Sequence, residues 1–121
     1  MARPIYEVKA EFFKTLAHPA RIRVLEVLGD GELPVNEMLP LVGIEPSHLS
    51  QQLAVLRRAG IVRSRREGSS VIYEVVDKRL FALLDEAKNI LTTSLTESQD
   101  LLRDLEQIEF GERRPRRKRS S

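Results

Sequence analysis

Residues 46–70 read PSHLSQQLAVLRRAGIVRSRREGSS. Short polar side chains come first, leucines follow at helical spacing, and five arginines lead to a glycine–serine turn. Pro46 suits the first position of a helix, where its missing N–H costs nothing. Gly60 suits the residue just past a helix end. The spacing therefore predicts a helix over 46–59 with Glu45 at its N-cap. At about 100° per residue, Leu49, Leu53 and Leu56 fall on one side, toward a core. Ser47, Gln51, Ala54 and Arg58 fall opposite, with His48, Ser50, Val55 and Arg57 on the flanks. Gln52 lies nearer the buried side, which assigns it to orienting the helix rather than to contact.

After Gly60 the period changes. IVRSRR and SVIYEVV are rich in β-branched residues and are separated by Glu67-Gly68-Ser69, the pattern of a hairpin. Before Glu45, residues 35–42 read as a short helix that Gly43 ends in a tight turn. Two short helices joined by a glycine turn and followed by a hairpin make a winged helix-turn-helix. The outward edge of residues 46–59 then has a use. Ser47, His48, Ser50 and Gln51 are short hydrogen-bonding groups suited to base edges in a major groove, and Gln51 can pair with adenine N6 and N7. Ala54 permits close approach. Arg57 and Arg58 lie where phosphate contact is expected. Arg63, Arg65 and Arg66, with Ser69 and Ser70 near the tip, make a thin basic wing for phosphates or a minor groove. The helix alone would also fit a solvated surface face, and the hairpin alone a plain charged turn. Together they point to double-stranded DNA.

Working outward, Ile5, Val8, Phe12 and Leu16 recur at helical spacing and predict a first helix over 5–17. A second starts at Pro19, buries Ile22, Leu25 and Leu28, and ends at Gly29-Asp30-Gly31. Asp77 can cap a long last helix. There Leu80, Leu84, Ala87, Leu91, Ser94, Ser98, Leu101, Leu105 and Ile108 alternate in steps of four and three, a heptad pattern. Such a stripe spans about 43 Å, against a radius of gyration of about 14 Å for a compact chain of this length. Its own domain cannot cover it. A second copy about a two-fold axis can, with Phe12, Leu80, Leu84, Ala87, Leu91, Leu101 and Leu105 at the interface. The segment TTSLTESQ, 92–99, is the soft point: its hydroxyls lower helix propensity, and Thr96 with Gln99 resembles a capping box, so a break near residue 95 is the alternative to continuity.

The chain has 121 residues and no cysteine, which suits one domain and excludes disulfides, thiolate metal sites and redox thiols. No apolar run reaches the roughly 20 residues of a membrane span, and the first residues lack a secretory apolar stretch. A cytoplasmic protein, associated with the nucleoid through operator binding, is expected. The net charge of +2 is uneven. Residues 77–112 carry four basic and nine acidic side chains, whereas residues 113–121 carry six basic and none acidic. The organisation expected is a domain over 1–112 and a basic disordered tail over 113–121, either adding phosphate contacts or serving as a solubility tail or cloning remnant. With no Gly-rich phosphate loop, no cysteine and no histidine in a plausible triad, an enzyme is not expected.

FKTLAHPARIRVLEVL (13–28), GELPVNEML (31–39) and HLSQQLAVLRRAGIVRSRREGSSVIYEV (48–75) occur in an order and spacing that resembles the ArsR/SmtB family of winged-helix repressors. The resemblance covers roughly residues 6–110. It implies a homodimer of α1-α2-α3-α4-β-β-α5 topology, mainly α with a small β-hairpin, paired through its first and last helices and blocking an operator. It also implies a sensing site in many members, and here the residues depart. Where arsenic, cadmium and lead sensors carry Cys-Val-Cys, this chain has Pro34-Val35-Asn36. Where zinc, nickel and cobalt sensors use histidines and carboxylates on the last helix, residues 77–110 contain no histidine. The persulfide sensors' cysteine pair is missing as well. No metal site and no cofactor are expected, and the inducer is unknown. His18, in the shared segment LAHPAR, is expected to cap or pack the second helix. The reading is a sequence-specific homodimeric repressor of a palindromic operator. The alternatives are a sensor of an unidentified ligand or metal through a non-thiolate site, such as carboxylates at the dimer interface or an apolar pocket under the last helix, and an interaction module that has lost DNA binding.

Overall fold

The computed structural model describes residues 2–109, with side chains described through Asp104 and at Glu106. The expected basic tail, 113–121, lies outside the described residues. The element order is α1 (Ile5–Leu16), α2 (Pro19–Val27), β1 (Leu33–Pro34), α3 (Val35–Val42), α4 (Pro46–Arg58), β2 (Val62–Glu67), β3 (Ser70–Val75) and α5 (Arg79–Glu109). The chain divides into two units, at Leu84 and Asp85.

In the first unit, α2 begins as expected at Pro19, and His18 is its N-cap: Nδ1 accepts the N–H of Ala20 at 3.1 Å. The helix stops at Val27 and tightens into a 3-10 turn over Leu28–Asp30, ended by Gly31 at φ 132°. Gly43 ends α3 in the left-handed region, φ 76°, and its N–H returns to the carbonyl of Leu39. Residues with a Cβ avoid that region, so the turn between α3 and α4 depends on this glycine. The core joins every element of the unit. Leu16 from α1, Val24 and Leu25 from α2, Met38 from α3, Leu49, Leu53 and Leu56 from α4, Val62, Tyr73 and Val75 from the sheet, and Leu80 from α5 form one buried cluster, and Leu33 of β1 packs against it. The predicted inner side of α4 is thus fully sealed, and that seal holds the helix in place.

Two local findings differ from the sequence expectation. The sheet has three antiparallel strands in the order β1-β3-β2, rather than the hairpin alone. β1 is two residues long and one of them is proline, so it carries neither alternation nor β-branched enrichment. The hairpin loop is Gly68-Ser69, because Glu67 still pairs with Ser70. Gly68 has φ 60° and Ser69 a negative φ, as in a type II′ turn.

Asp77 caps α5 as expected, its carboxylate accepting the N–H of Arg79 at 3.0 Å. The same carboxylate holds the Arg79 guanidinium at 2.6 Å. Those hydrogen bonds draw the Asp77 pKa down to about 2. The break considered near residue 95 does not occur. Thr96 Oγ1 instead donates to the Thr92 carbonyl at 2.9 Å, the back-bonding by which a hydroxyl residue is accommodated inside a helix. Within the second unit, Ile90, Leu91, Leu95, Leu101 and Leu102 are all more than half exposed. Among the described residues, no helix is long and apolar enough to cross a membrane.

Candidate nucleic-acid interface

α3, the Gly43-Ile44-Glu45 turn and α4 form the helix-turn-helix. Ser47, Ser50 and Gln51 stand exposed on α4, on the side opposite Leu49, Leu53 and Leu56. Glu45 occupies the N-cap position but makes no side-chain cap. The first-turn N–H groups of Ser47 and His48 therefore have no intrahelical acceptor, and they add donors to this end of the helix. Arg57 and Arg58 are exposed in the last turn. Ala54 is half-buried and projects little.

His48 differs from its neighbours. It is half-buried and packs edge-on against His18, with ring centroids 5.9 Å apart. The N-cap of α2 thereby touches the first turn of α4. A second link lies one turn further along. Gln52 is buried, as its place on the helical wheel indicated, and its Oε1 accepts the Nε–H of Arg21 at 2.7 Å. Arg21 also donates from Nη1 to the carbonyl of Thr15 at 3.0 Å. One guanidinium thus joins the end of α1, the body of α2 and the back of α4. Sequence reasoning missed Arg21: a lone arginine in a helix reads as a surface charge, and its partner is 31 residues away.

The three arginines of β2 separate onto two sides of the sheet. Val62 and its partner Val75 face the core, so Ser64 and Arg66 share that side, and Arg63, Arg65 and Glu67 take the outer one. Both outer arginines are held by carboxylates. Arg63 meets Glu74 at 2.7 Å, and Arg65 meets Glu32 in two bonds of 2.6 Å and Glu67 at 3.4 Å. Arg66 is exposed, with no ion-pair partner among the described residues. Ser69 and Ser70 lie at the turn beside it, Ser69 exposed and Ser70 half-buried.

At the proposed pairing surface, Phe12 is 36% exposed beside Phe13, their rings 5.4 Å apart. Leu80 is 7% exposed and belongs to the chain's own core, and Leu84 packs on that core half-buried. Ala87, Leu91 and Leu101 are exposed; the side chain of Leu105 lies outside the described ones. A cavity of about 430 Å³ opens between Phe12, the Ala59-Gly60-Ile61 corner, Leu80 and Leu83, with Asp77 and Arg79 at its side.

A family profile described as a helix-turn-helix domain matches residues 16–65. An uncharacterized HTH-type transcriptional regulator of Mycobacterium tuberculosis, Rv0081, is 50% identical over 105 residues, which is 86% of this chain and 92% of that protein. Its crystal structure superposes with a TM-score of 0.71 over 80% of this chain and 98% of that one. The homodimeric winged helix-turn-helix DNA-binding domain Mb0332 of Mycobacterium bovis, a possible ArsR-family regulator, gives a TM-score of 0.67 at 25% identity, over 77% of this chain and 86% of that one. The chain belongs to the ArsR/SmtB family. Another similar structure is the transcriptional repressor BigR of Xylella fastidiosa, with a TM-score of 0.63 at 35% identity over 74% of this chain and 96% of that one.

As a member of the ArsR/SmtB family, the chain is a transcriptional regulator with a helix-turn-helix DNA-binding domain. The family and the relatives found are regulators rather than enzymes. Where the family's thiolate sensors place their cysteines, this ArsR/SmtB chain has Pro34 in β1 and Asn36 in the first turn of α3. Pro34 offers no donor atom, and Asn36 is a weak neutral ligand. Among the described residues, no three His, Asp or Glu side chains gather as a metal would need.

Proposed function

We propose that this regulator is a homodimeric repressor that reads a two-fold symmetric operator through the outer edge of α4. The observation that carries the reading is the edge itself: Ser47, Ser50 and Gln51 exposed on a helix whose opposite side is sealed by Leu49, Leu53 and Leu56. Ser47, His48, Ser50 and Gln51 read bases, His48 from a more recessed position against His18. Arg57, Arg58, Arg66, Ser69 and Ser70 hold phosphate. Arg63 and Arg65 belong to the same basic wing, with their carboxylate partners close by. Pairing about a two-fold axis uses Phe12, Ala87, Leu91, Leu101 and Leu105, flanked by Leu80 and Leu84. The homodimeric state of Mb0332 and the repressor role of BigR support this reading.

Selection of bound duplexes from a random pool tests it. An enriched symmetric motif is expected. Gln51→Ala should then lose preference at particular base pairs, costing about 1–3 kcal/mol there. Loss spread evenly over all positions would mean that Gln51 does not read bases.

The cavity beside Phe12 favours one further reading, a sensor of a small apolar ligand. Release of selected DNA by such a ligand, together with a raised unfolding temperature, is the expected sign; a panel that changes neither would remove it.

A further inference from the structure

The wing is tied to the helical body by an ion pair that reaches across a whole strand. Arg65 of β2 stands opposite Ile72 of β3, and Ile72 stands opposite Pro34 of β1. Directly opposed residues of an antiparallel sheet project to the same side. Strands lie about 4.8 Å apart, so a side chain on β2 must pass over β3 to meet one just before β1. Arg65 does so, and meets Glu32 in two parallel bonds, Nη1 to Oε2 and Nη2 to Oε1, both 2.6 Å. Most exposed ion pairs contribute little. A two-pronged guanidinium–carboxylate pair is the ordered exception, fixing angle as well as distance.

The strand that this pair crosses to is weak in backbone bonds. β1 has two ladder positions, and one of them is Pro34, which has no N–H to give. β1 also runs without a break into α3, and α3 leads through Gly43 to α4. The pair thus adds an outer tie between the wing and the segment leading into the helix-turn-helix, beside the core packing of Val62, Tyr73 and Val75. Arg63 is likewise engaged, with Glu74.

We propose that Glu32 and Arg65 are positioning residues for DNA binding: the pair straps the wing to the residue that leads into β1 and α3, and Arg65 acts on affinity through the angle of the wing rather than by touching phosphate. The proposal rests on the reading of α4 and the wing as the DNA interface. It leaves Arg66, on the other side of β2, as the wing's phosphate contact. The Arg65 hydrogen bonds hold the Glu32 carboxyl below its ordinary range, so the strap stays charged through neutral pH.

The test is fluorescence anisotropy with one selected duplex, from low to high KCl. The chains compared are wild type, Glu32→Gln, Arg65→Ala, both together, the exchanged pair Glu32→Arg with Arg65→Glu, and Arg66→Ala. The expected result is that Glu32→Gln and Arg65→Ala each weaken binding about fivefold. The slope of log K against log salt stays as in wild type, the double variant is no weaker than either single one, and the exchanged pair recovers most of the loss. Arg66→Ala should instead lower the slope by about 0.9. The proposal is overturned if Glu32→Gln tightens binding while Arg65→Ala lowers the slope by about 0.9, because Arg65 is then a phosphate contact that Glu32 restrains. It is also overturned if the exchanged pair, folded by circular dichroism, recovers nothing. Failure of the underlying reading looks different: wild type and every variant, Arg66→Ala included, then bind duplex alike and without salt dependence. That result overturns the role on DNA. Hydrogen exchange at residues 70–73 reads the strap itself without DNA, with faster exchange expected in Glu32→Gln and restored protection in the exchanged pair.

Discussion

Replacing Gln52 by leucine tests whether α4 is aimed from behind. Gln52 is 7% exposed, and its Oε1 lies 2.7 Å from Arg21 Nε. Leucine fills similar space and leaves that N–H without its acceptor. A hydrogen bond to a charged group contributes about 1.5–3 kcal/mol. Arg21 keeps its second bond, to Thr15 at 3.0 Å, and is only half-buried, so water recovers part of the loss and about 1–2 kcal/mol is expected. Urea unfolding of wild type, Gln52→Leu, Arg21→Ala and the double variant gives the coupling directly, and a cycle value of about 1–2 kcal/mol is predicted. Operator binding by Gln52→Leu should weaken several-fold. The salt slope and the base preference should not change, since the side chain faces away from the reading edge. Additive single effects, with coupling within about 0.3–0.5 kcal/mol of zero, would refute the energetic argument. A change of preference at defined base pairs would refute the assignment of Gln52 to the inner side.

Two other perturbations separate pairing from folding and charge from geometry. Leu91 is 61% exposed, so Leu91→Glu should change the stability of the isolated fold by no more than about 0.5 kcal/mol, while sedimentation equilibrium shows the dimer giving way to monomer; an unchanged dimer would count against this stripe. Asp77 has its pKa lowered from 3.8 to about 2 by the hydrogen bonds from Arg79. The ionised form therefore stabilises the fold, fully above the ordinary value, and this contribution disappears as pH falls through about 2. Asn still caps a helix, so the difference in unfolding temperature between wild type and Asp77→Asn should be constant near neutrality and should shrink from about pH 4 to pH 2; a difference independent of pH would contradict it.

Much of the fold was legible because its signals are local. Pro46 and Gly60 bracket α4, Val35 to Val42 spans α3 as the pattern indicated, and the leucine side of α4 is the buried side. The structural role of His18 followed from its place before Pro19. What was hidden depends on partners far apart in sequence. β1 becomes a strand only because β3 lies beside it, and its proline spoils the usual pattern. The arginines at 63, 65 and 66 look alike in a basic run, yet alternation along β2 sends Arg66 to one side and the others to Glu74 and Glu32. Leu80 fits a heptad with Leu91, but its depth is set by the buried cluster it joins, drawn from elements far away in sequence, which a one-dimensional period does not contain. The hydroxyl-rich segment around Thr96 does not interrupt α5, because the Thr96 hydroxyl bonds backward to Thr92 and the helix continues.

The central claim is that two copies of α4 read DNA through one edge. Footprinting of the chain on a selected duplex, with the stoichiometry of the complex measured alongside, tests it most directly. The account predicts two chains per duplex and two protected half-sites related by two-fold symmetry, centred about 10–10.5 base pairs or a multiple apart. A single chain bound per duplex, or protection that falls evenly along any sequence, would contradict it.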